Sequence, residues 1–561
     1  MVKGKETEKE GKDNEKDDEK LKKKIDENEE QLMKKGVIKE SNEEAGKGNE
    51  NGNEVGKKGS EGKEERKDER ILSKYSFYCE NMQVQVTIKR GKNDFFPTYE
   101  VKVPGIGIGT KTIIETKLRA DLLAYVDVEL TDILDPKKAS FIRKKFFDKG
   151  KDLLKATFPN LDEKEIDILA NYLIQRTIGL GDLDILIADE MLEEIAVNGA
   201  YENVWVYHKR YGWCKTNLRI KDEEEIYNYA AFIARKVGRQ INVLNPLLDA
   251  HLSSGDRVNS TLFPISQHGN TLTIRKFSRN PWTVTTLISS QTITSDLMAL
   301  IWLCIKNELS LIISGGTGSG KTSFLNAISA FIPANQRVIS IEDTREITLP
   351  KYLQWVPLVT REPNPEGKGE VTMLDLLINA LRMRPDRIIV GEIRRQKEAE
   401  VMFEAMHTGH SVYATLHADN SEQTITRLTT PPISLPVEVL DAVAAIVVQF
   451  RHRRFNIRRT LEFSEVLKNG KLNIVYRWNA SKDAIMKLSD LSRIADLLYL
   501  YAGLTEKEIR EEIEEKSAIL RWMVSKKYFD IDEVGHIVNS YYNDPEEVLS
   551  YVKNNKNWSF E

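Results

Sequence analysis

Leu309-Ser-Leu-Ile-Ile-Ser-Gly-Gly-Thr-Gly-Ser-Gly-Lys-Thr322 sets the architecture of the 561-residue chain. Residues 309–314 are an apolar run with strand character. Gly315-Gly316-Thr317-Gly318-Ser319-Gly320-Lys321-Thr322 then matches G-x-x-x-x-G-K-[ST] and opens a helical pattern over 321–331, the strand–loop–helix context that motif requires. Glycines let backbone N–H groups curl around a β-phosphate, and the helix N-terminus adds its positive end. Lys321 is placed to reach the β/γ-phosphates. The Thr322 hydroxyl is placed to ligate Mg²⁺, and Ser323 closes the cradle.

Outward from the loop, strands and helices alternate. Strands are expected at 337–342, 387–391 and 412–416, and helices at 373–383 and 397–406. Short apolar strands separated by helices imply a mostly parallel sheet covered on both faces. Two of these strands end in acids: Glu342-Asp343 and, after Gly391, Glu392. Ligands of open α/β sheets bind at the C-terminal strand ends, so both carboxylates face the phosphates. One strand is expected in sequence between the loop strand and the Glu392 strand, the RecA-like arrangement in which an added strand carries a catalytic glutamate, here Glu342. Gly391 stands where an aspartate of the magnesium strand is usual, which leaves Glu392 to hold the Mg²⁺ shell through water.

These residues resemble the secretion and pilus-assembly ATPases, which include the type II secretion motor, the type IV pilus motors, the conjugation ATPase and the archaeal flagellum-like motor. Four boxes carry the resemblance. They are the phosphate loop; the acidic box Val338-Ile-Ser-Ile-Glu342-Asp343-Thr-Arg345-Glu346; the atypical magnesium box Arg384-Pro-Asp386-Arg-Ile-Ile-Val-Gly391-Glu392-Ile-Arg394; and the histidine box Thr408-Gly-His410-Ser-Val-Tyr-Ala-Thr-Leu-His417-Ala-Asp419. The resemblance covers roughly 165–470, and the wording Asp343-Thr-Arg-Glu and Thr360-Arg-Glu-Pro is most like archaeal members. Upstream, Gly255-Asp-Arg257-Val-Asn259 and Leu272-Thr-Ile-Arg275-Lys-Phe277 resemble the family's arginine motifs, in which an N-terminal domain closes on the nucleotide.

The resemblance implies a fold class: α/β, with a RecA-like P-loop NTPase domain preceded by a smaller α/β N-terminal ATPase domain. It implies ATP and Mg²⁺ as ligands, catalytic roles for Glu342, Glu392, Arg257 and Arg275, and γ-phosphate sensing by His417. It also implies a homo-hexamer that drives an inner-membrane platform protein from the cytoplasmic side of the membrane. The chain departs from the family in lacking the four-cysteine zinc module of bacterial type II motors and in carrying a charged head.

That head, residues 1–70, holds 41 charged residues and no Phe, Trp or Tyr, a composition that cannot bury enough apolar surface to order itself. The expected units are this tail, an accessory region 71–154, an arginine-donating α/β domain 155–278 with an antiparallel sheet, a linker 279–292, the ATPase domain 293–482 and helices over 483–561. Cys79, Cys214 and Cys304 are too few and too scattered for a disulfide framework. The longest apolar run, 297–305, is half a membrane span, and there is no apolar signal core. Lys+Arg 82 against Asp+Glu 86 leaves a net charge of −4, so no stable nucleic-acid binding is expected. The basic stretch 451–459 reads as a solvated hairpin turn or a subunit contact. The rival functions are a conjugation or DNA-uptake motor, a RecA-class nucleic-acid translocase and a non-hydrolysing nucleotide-dependent scaffold.

Overall fold

A computed structural model describes residues 69–560 apart from 105, 126–137, 253, 278–280, 364–366 and 453–456. The charged head up to residue 68, and residues 279 and 280 of the expected linker, lie outside the described residues.

Two nine-stranded sheets organise the chain. The first contains β1 (Glu69–Cys79), β2 (Met82–Gly91), β3 (Thr98–Lys102), β4 (Leu192–Asn198), β5 (Asn203–His208), β6 (Gly212–Arg219), β7 (Leu247–His251), β8 (Arg257–Thr261) and β9 (Thr271–Arg275). Their order is β1-β2-β3-β6-β5-β4-β9-β8-β7, antiparallel except where β3 meets β6. Strands such as β2 and β5 alternate buried residues with exposed or half-buried ones, so one face packs into the core and the other is more open. The β3–β6 pairing joins the stretch before residue 154 to the one after it, and one apolar core runs from Cys79 to Ile274.

The stretch 75–88 is a hairpin. Glu80 and Asn81 both take positive φ between β1 and β2. That is the geometry of a two-residue hairpin turn, but without the glycine that usually announces it.

The second sheet contains β10 (Leu311–Gly315), β11 (Arg337–Glu342), β12 (Gln354–Val359), β13 (Arg387–Val390), β14 (Ser411–Leu416), β15 (Ala445–His452), β16 (Ile457–Val466), β17 (Leu472–Asn479) and β18 (Ala484–Lys487). The order is β12-β11-β13-β14-β10-β15-β16-β17-β18. β12 through β15 run parallel, and β15 to β18 form antiparallel hairpins. β10, β13 and β14 are buried along their whole length, as a sheet covered on both faces demands.

Two strands, not one, lie in sequence between the loop strand and the Glu392 strand. The sequence pattern passes over β12, whose Pro357 is tolerated because the strand is an edge. In space, the strand between β10 and β13 is β14, which leads into His417, while the Glu342 strand lies one place further out.

Of the C-terminal helices, Glu506–Lys526 and Ile531–Asn543 pack on helix Ser295–Lys306, sharing its core through Ile519, Leu520, Met523, Ile537 and Val538; Pro545–Lys553 packs on those two, and Arg493–Ala502 on Glu506–Lys526 and β16. Among the described residues no helix is long and apolar enough to cross a membrane.

Candidate nucleotide site

The helix after the phosphate loop, Lys321–Ile328, begins at Gly320 with no side-chain cap. Helices such as Glu163–Ile178, Glu223–Lys236 and Glu506–Lys526 are capped by the side chains of Asp162, Asp222 and Thr505, although Ala139–Thr157 is not. The uncapped first-turn N–H groups are therefore left for an anion. Gly315 is required by its surroundings. Its φ is +150°, and a Cβ there would meet the Gln449 carbonyl oxygen at 2.2 Å and Ser319 Oγ at 2.5 Å.

The loop opens into a cavity of about 670 Å³ lined from both sheets. Thr317 to Ser323, Glu342, Asp343, Glu392 and His417 line it from the second sheet. Arg257, Arg275 and Lys276 line it from the first. Every residue given a catalytic, nucleotide-binding or magnesium-binding role in the sequence lines this cavity, apart from the loop glycines Gly315 and Gly316.

Around the loop the side chains form a connected series. Lys321 Nζ donates to the Gly316 carbonyl at 3.1 Å and lies 3.2 Å from His417 Nδ1. His417 Nε2 is 3.0 Å from Glu392 Oε1. Glu392 Oε2 accepts from Arg394, whose other terminal nitrogen bonds Asp343. Burial and the adjacent Lys321 hold the His417 pKa below its ordinary value, so the ring is neutral. The neighbours then set its tautomer: Nδ1 accepts from the lysine, and Nε2–H donates to the glutamate. Burial likewise lowers the pKa of Lys321.

Glu342 differs from Glu392. It is only 2% exposed, and its Oε1 accepts the backbone N–H groups of Glu346 and Ile347 at 2.8 and 3.0 Å. Among the described residues Oε2 is buried without a hydrogen-bond partner. Burial pushes this carboxyl up to about 7, the range where a proton can be taken or returned near neutrality. Gly391 explains its own place: a Cβ there would press on Glu342 Cγ at 3.3 Å and on the Ile341 carbonyl at 3.4 Å. An aspartate at 391 would crowd Glu342.

Arg257 is held in a two-point pair by Asp249, with Nε at 3.1 Å and Nη2 at 2.5 Å. It sits opposite Arg275 across the β8–β9 ladder, and Arg275 sits opposite Glu194. The first sheet touches the acidic box directly, through His251 Nε2 and Thr344 Oγ1 at 2.6 Å. Arg345 lies over the Trp355 ring, and His410 folds back onto the end of helix Gln396–His407 at the Ala405 carbonyl.

Sequence reasoning missed Arg458, assigned with its neighbours to a solvated hairpin turn or a subunit contact. Its Nε donates to the Gly318 carbonyl at 3.3 Å, and the side chain lines the cavity. Adjacency of β15 to β10 puts it there, a pairing that no local pattern signals.

A family model described as type II/IV secretion system protein matches residues 183–463. MJ0900, an uncharacterized protein of Methanocaldococcus jannaschii, is 36% identical over 393 residues, covering 68% of this chain and 71% of its own. The type IV secretion system protein PtlH of Bordetella pertussis is 32% identical over 260 residues, or 42% and 76% of the two chains. Among solved structures, the VirB11 ATPase of the Brucella suis type IV secretion system aligns with 50% of this chain and 92% of its own, at 25% identity and a TM-score of 0.27.

Proposed function

The chain belongs to the type II/IV secretion system protein family, and from that premise we propose that it is an ATP-hydrolysing motor. The observation that carries this reading is the convergence in one cavity of an uncapped phosphate loop, a buried carboxyl raised to about 7, and arginines from the first sheet.

In the proposed cycle the loop N–H groups and Lys321 hold the β- and γ-phosphates. A phosphate oxygen arriving at Lys321 replaces its contact with His417, which stays hydrogen-bonded to Glu392 and reports the change along β14. Glu342, with Oε1 fixed by two backbone donors, uses Oε2 to take the proton of the attacking water. Arg257 and Arg275 supply positive charge where it builds up on the transferring phosphoryl group. The chain offers Thr322 and Glu392 to a cation, one hydroxyl and one carboxylate, a donor set suited to a Mg²⁺ whose other ligands are phosphate oxygens and water. Bound there, Mg²⁺ would neutralise the charge shared by the β- and γ-phosphates.

The division of the motor into 155–278 and 293–482 is part of the proposal. So is its assembly as a homo-hexamer on a membrane platform protein at the cytoplasmic face, working to build pilus-like filaments or to secrete protein. The name of PtlH, a type IV secretion system protein, supports that role over a nucleic-acid translocase, as does the absence of net positive charge. Phosphate release from MgATP by wild type and by Lys321→Ala tests the reading. Wild type should turn over and the variant should not. Equal release by both, or none by wild type with the platform protein present, would refute it.

A further inference from the structure

The phosphate loop has two flanks. On one side of β10 stand β14, β13 and β11, whose ends bear His417, Glu392 and Glu342, and Lys321 leans that way. On the other side β15 pairs in parallel with β10, Gly315 opposite Gln449, and turns into β16 with Arg451 opposite Arg458.

Both arginines return over the loop. Arg458 Nε donates to the Gly318 carbonyl, and its Cδ lies 3.5 Å from where a Cβ on Gly320 would stand. A terminal nitrogen of Arg451 lies 3.0 Å from the corresponding point on Gly318, while its other terminal nitrogen donates to Tyr207 Oη on β5 at 2.6 Å. Arg451 thus ties the hairpin to the first sheet, and Arg458 faces the loop. Among the described residues the terminal nitrogens of Arg458 make no hydrogen bond, and no carboxylate pairs with it. Glu193 attracts it only from a distance. Burial, and then Arg451 beside it, disfavour its charge. A half-buried guanidinium next to a second one and to an anion-binding loop is unfavourable until an anion completes it.

We propose that Arg458 is a nucleotide-phosphate ligand. It reaches the α/β-phosphate end of a nucleoside di- or triphosphate from the flank opposite the carboxylates. The inference rests on the nucleotide reading of the loop. The γ end belongs to the flank of Lys321, His417 and Glu392, so the hairpin flank faces the nucleoside side of the β-phosphate. ADP and ATP present the same groups there, and Arg458 serves both equally, unlike the groups of the γ end.

The test is calorimetric titration of the full chain with MgADP and with Mg-adenylyl-imidodiphosphate, in wild type, Arg458→Ala, Arg458→Gln and Arg458→Lys. In the Ala and Gln variants both dissociation constants should rise about tenfold and by the same factor, and Lys should recover part of the loss. Ligand-free melting temperatures should match wild type. ADP affinity within twofold of wild type overturns the proposal. So does a loss confined to the triphosphate analogue, which puts the guanidinium at the γ end. A lowered ligand-free melting temperature in both Ala and Gln also overturns it, because Arg458 is then a clasp on the loop. Failure of wild type to bind either nucleotide overturns the parent reading instead, and this inference with it.

Discussion

The two sheets that wall the cavity present their chemistry in different ways. On the second sheet the functional groups stand at the ends of β10, β11, β13 and β14, strands buried almost throughout, so their positions are fixed by main-chain pairing and by packing on both faces. On the first sheet Arg257 and Arg275 are exposed end residues of β8 and β9, short strands that alternate buried and exposed positions. They reach the cavity on long side chains, and Arg257 is steadied by Asp249. The sheets meet through polar side chains such as His251 with Thr344 and Arg239 with Glu362. A rigid acidic wall faces a cationic wall joined to it by contacts that are individually weak. Nucleotide binding should therefore depend on the second sheet, and turnover on both.

The largest expected effect is on the rigid wall. Lys321→Ala removes the loop's own cation, and turnover should fall at least about a thousandfold, read as phosphate release. Glu342→Gln comes next. Turnover should fall by about a hundredfold or more while ADP affinity stays within about threefold, since a base is lost and not a ligand.

The same carboxyl ties rate and stability to pH in opposite directions. Protonated below about 7, it cannot accept a proton, so kcat should climb with pH up to about 7 and then level. Its folded pKa lies above the ordinary glutamate value of 4.5, so between roughly 4.5 and 7 the unfolded chain releases this proton first and stability falls as pH rises. Glu342→Gln removes that cost. Its melting temperature should exceed wild type at pH 8 and approach it at pH 5, by thermal melts at the two values. The smallest effect belongs to the seam. Glu362→Gln breaks an ion pair whose glutamate is 62% exposed, and stability should change by less than about 1 kcal/mol, with turnover within about threefold.

The acidic wall was legible in the sequence because its information is local. Gly315 to Thr322 sits between an apolar run and a helix, and Glu342 and Glu392 each end an apolar run. Which strand separates the loop strand from the Glu392 strand was not legible, because β14 comes from a region after both in the chain. Arg458 was hidden for the same reason: it lies 140 residues from Gly318 and reaches it only through the β10–β15 pairing. The first sheet was legible as an antiparallel sheet within 155–278 but not as one body reaching back to β1, since β3 meets β6 across more than a hundred residues and the Glu80–Asn81 turn has no glycine. The environment of Glu342 could not be read at all. Its burial depends on Gly391 and on the backbone of Glu346 and Ile347 closing around it.

The central claim is that one sheet holds the nucleotide while the other completes the chemistry. The most direct measurement is the steady-state turnover of Arg257→Ala/Arg275→Ala, taken with its ADP affinity and its melting temperature. At least about tenfold per arginine, on the order of 1.4 kcal/mol each, should be lost from kcat. ADP affinity should stay within about threefold, and the melting temperature should be nearly unchanged because neither arginine is core. Turnover within twofold of wild type, or a loss that only tracks lowered stability, would contradict the claim and leave the first sheet as scaffold.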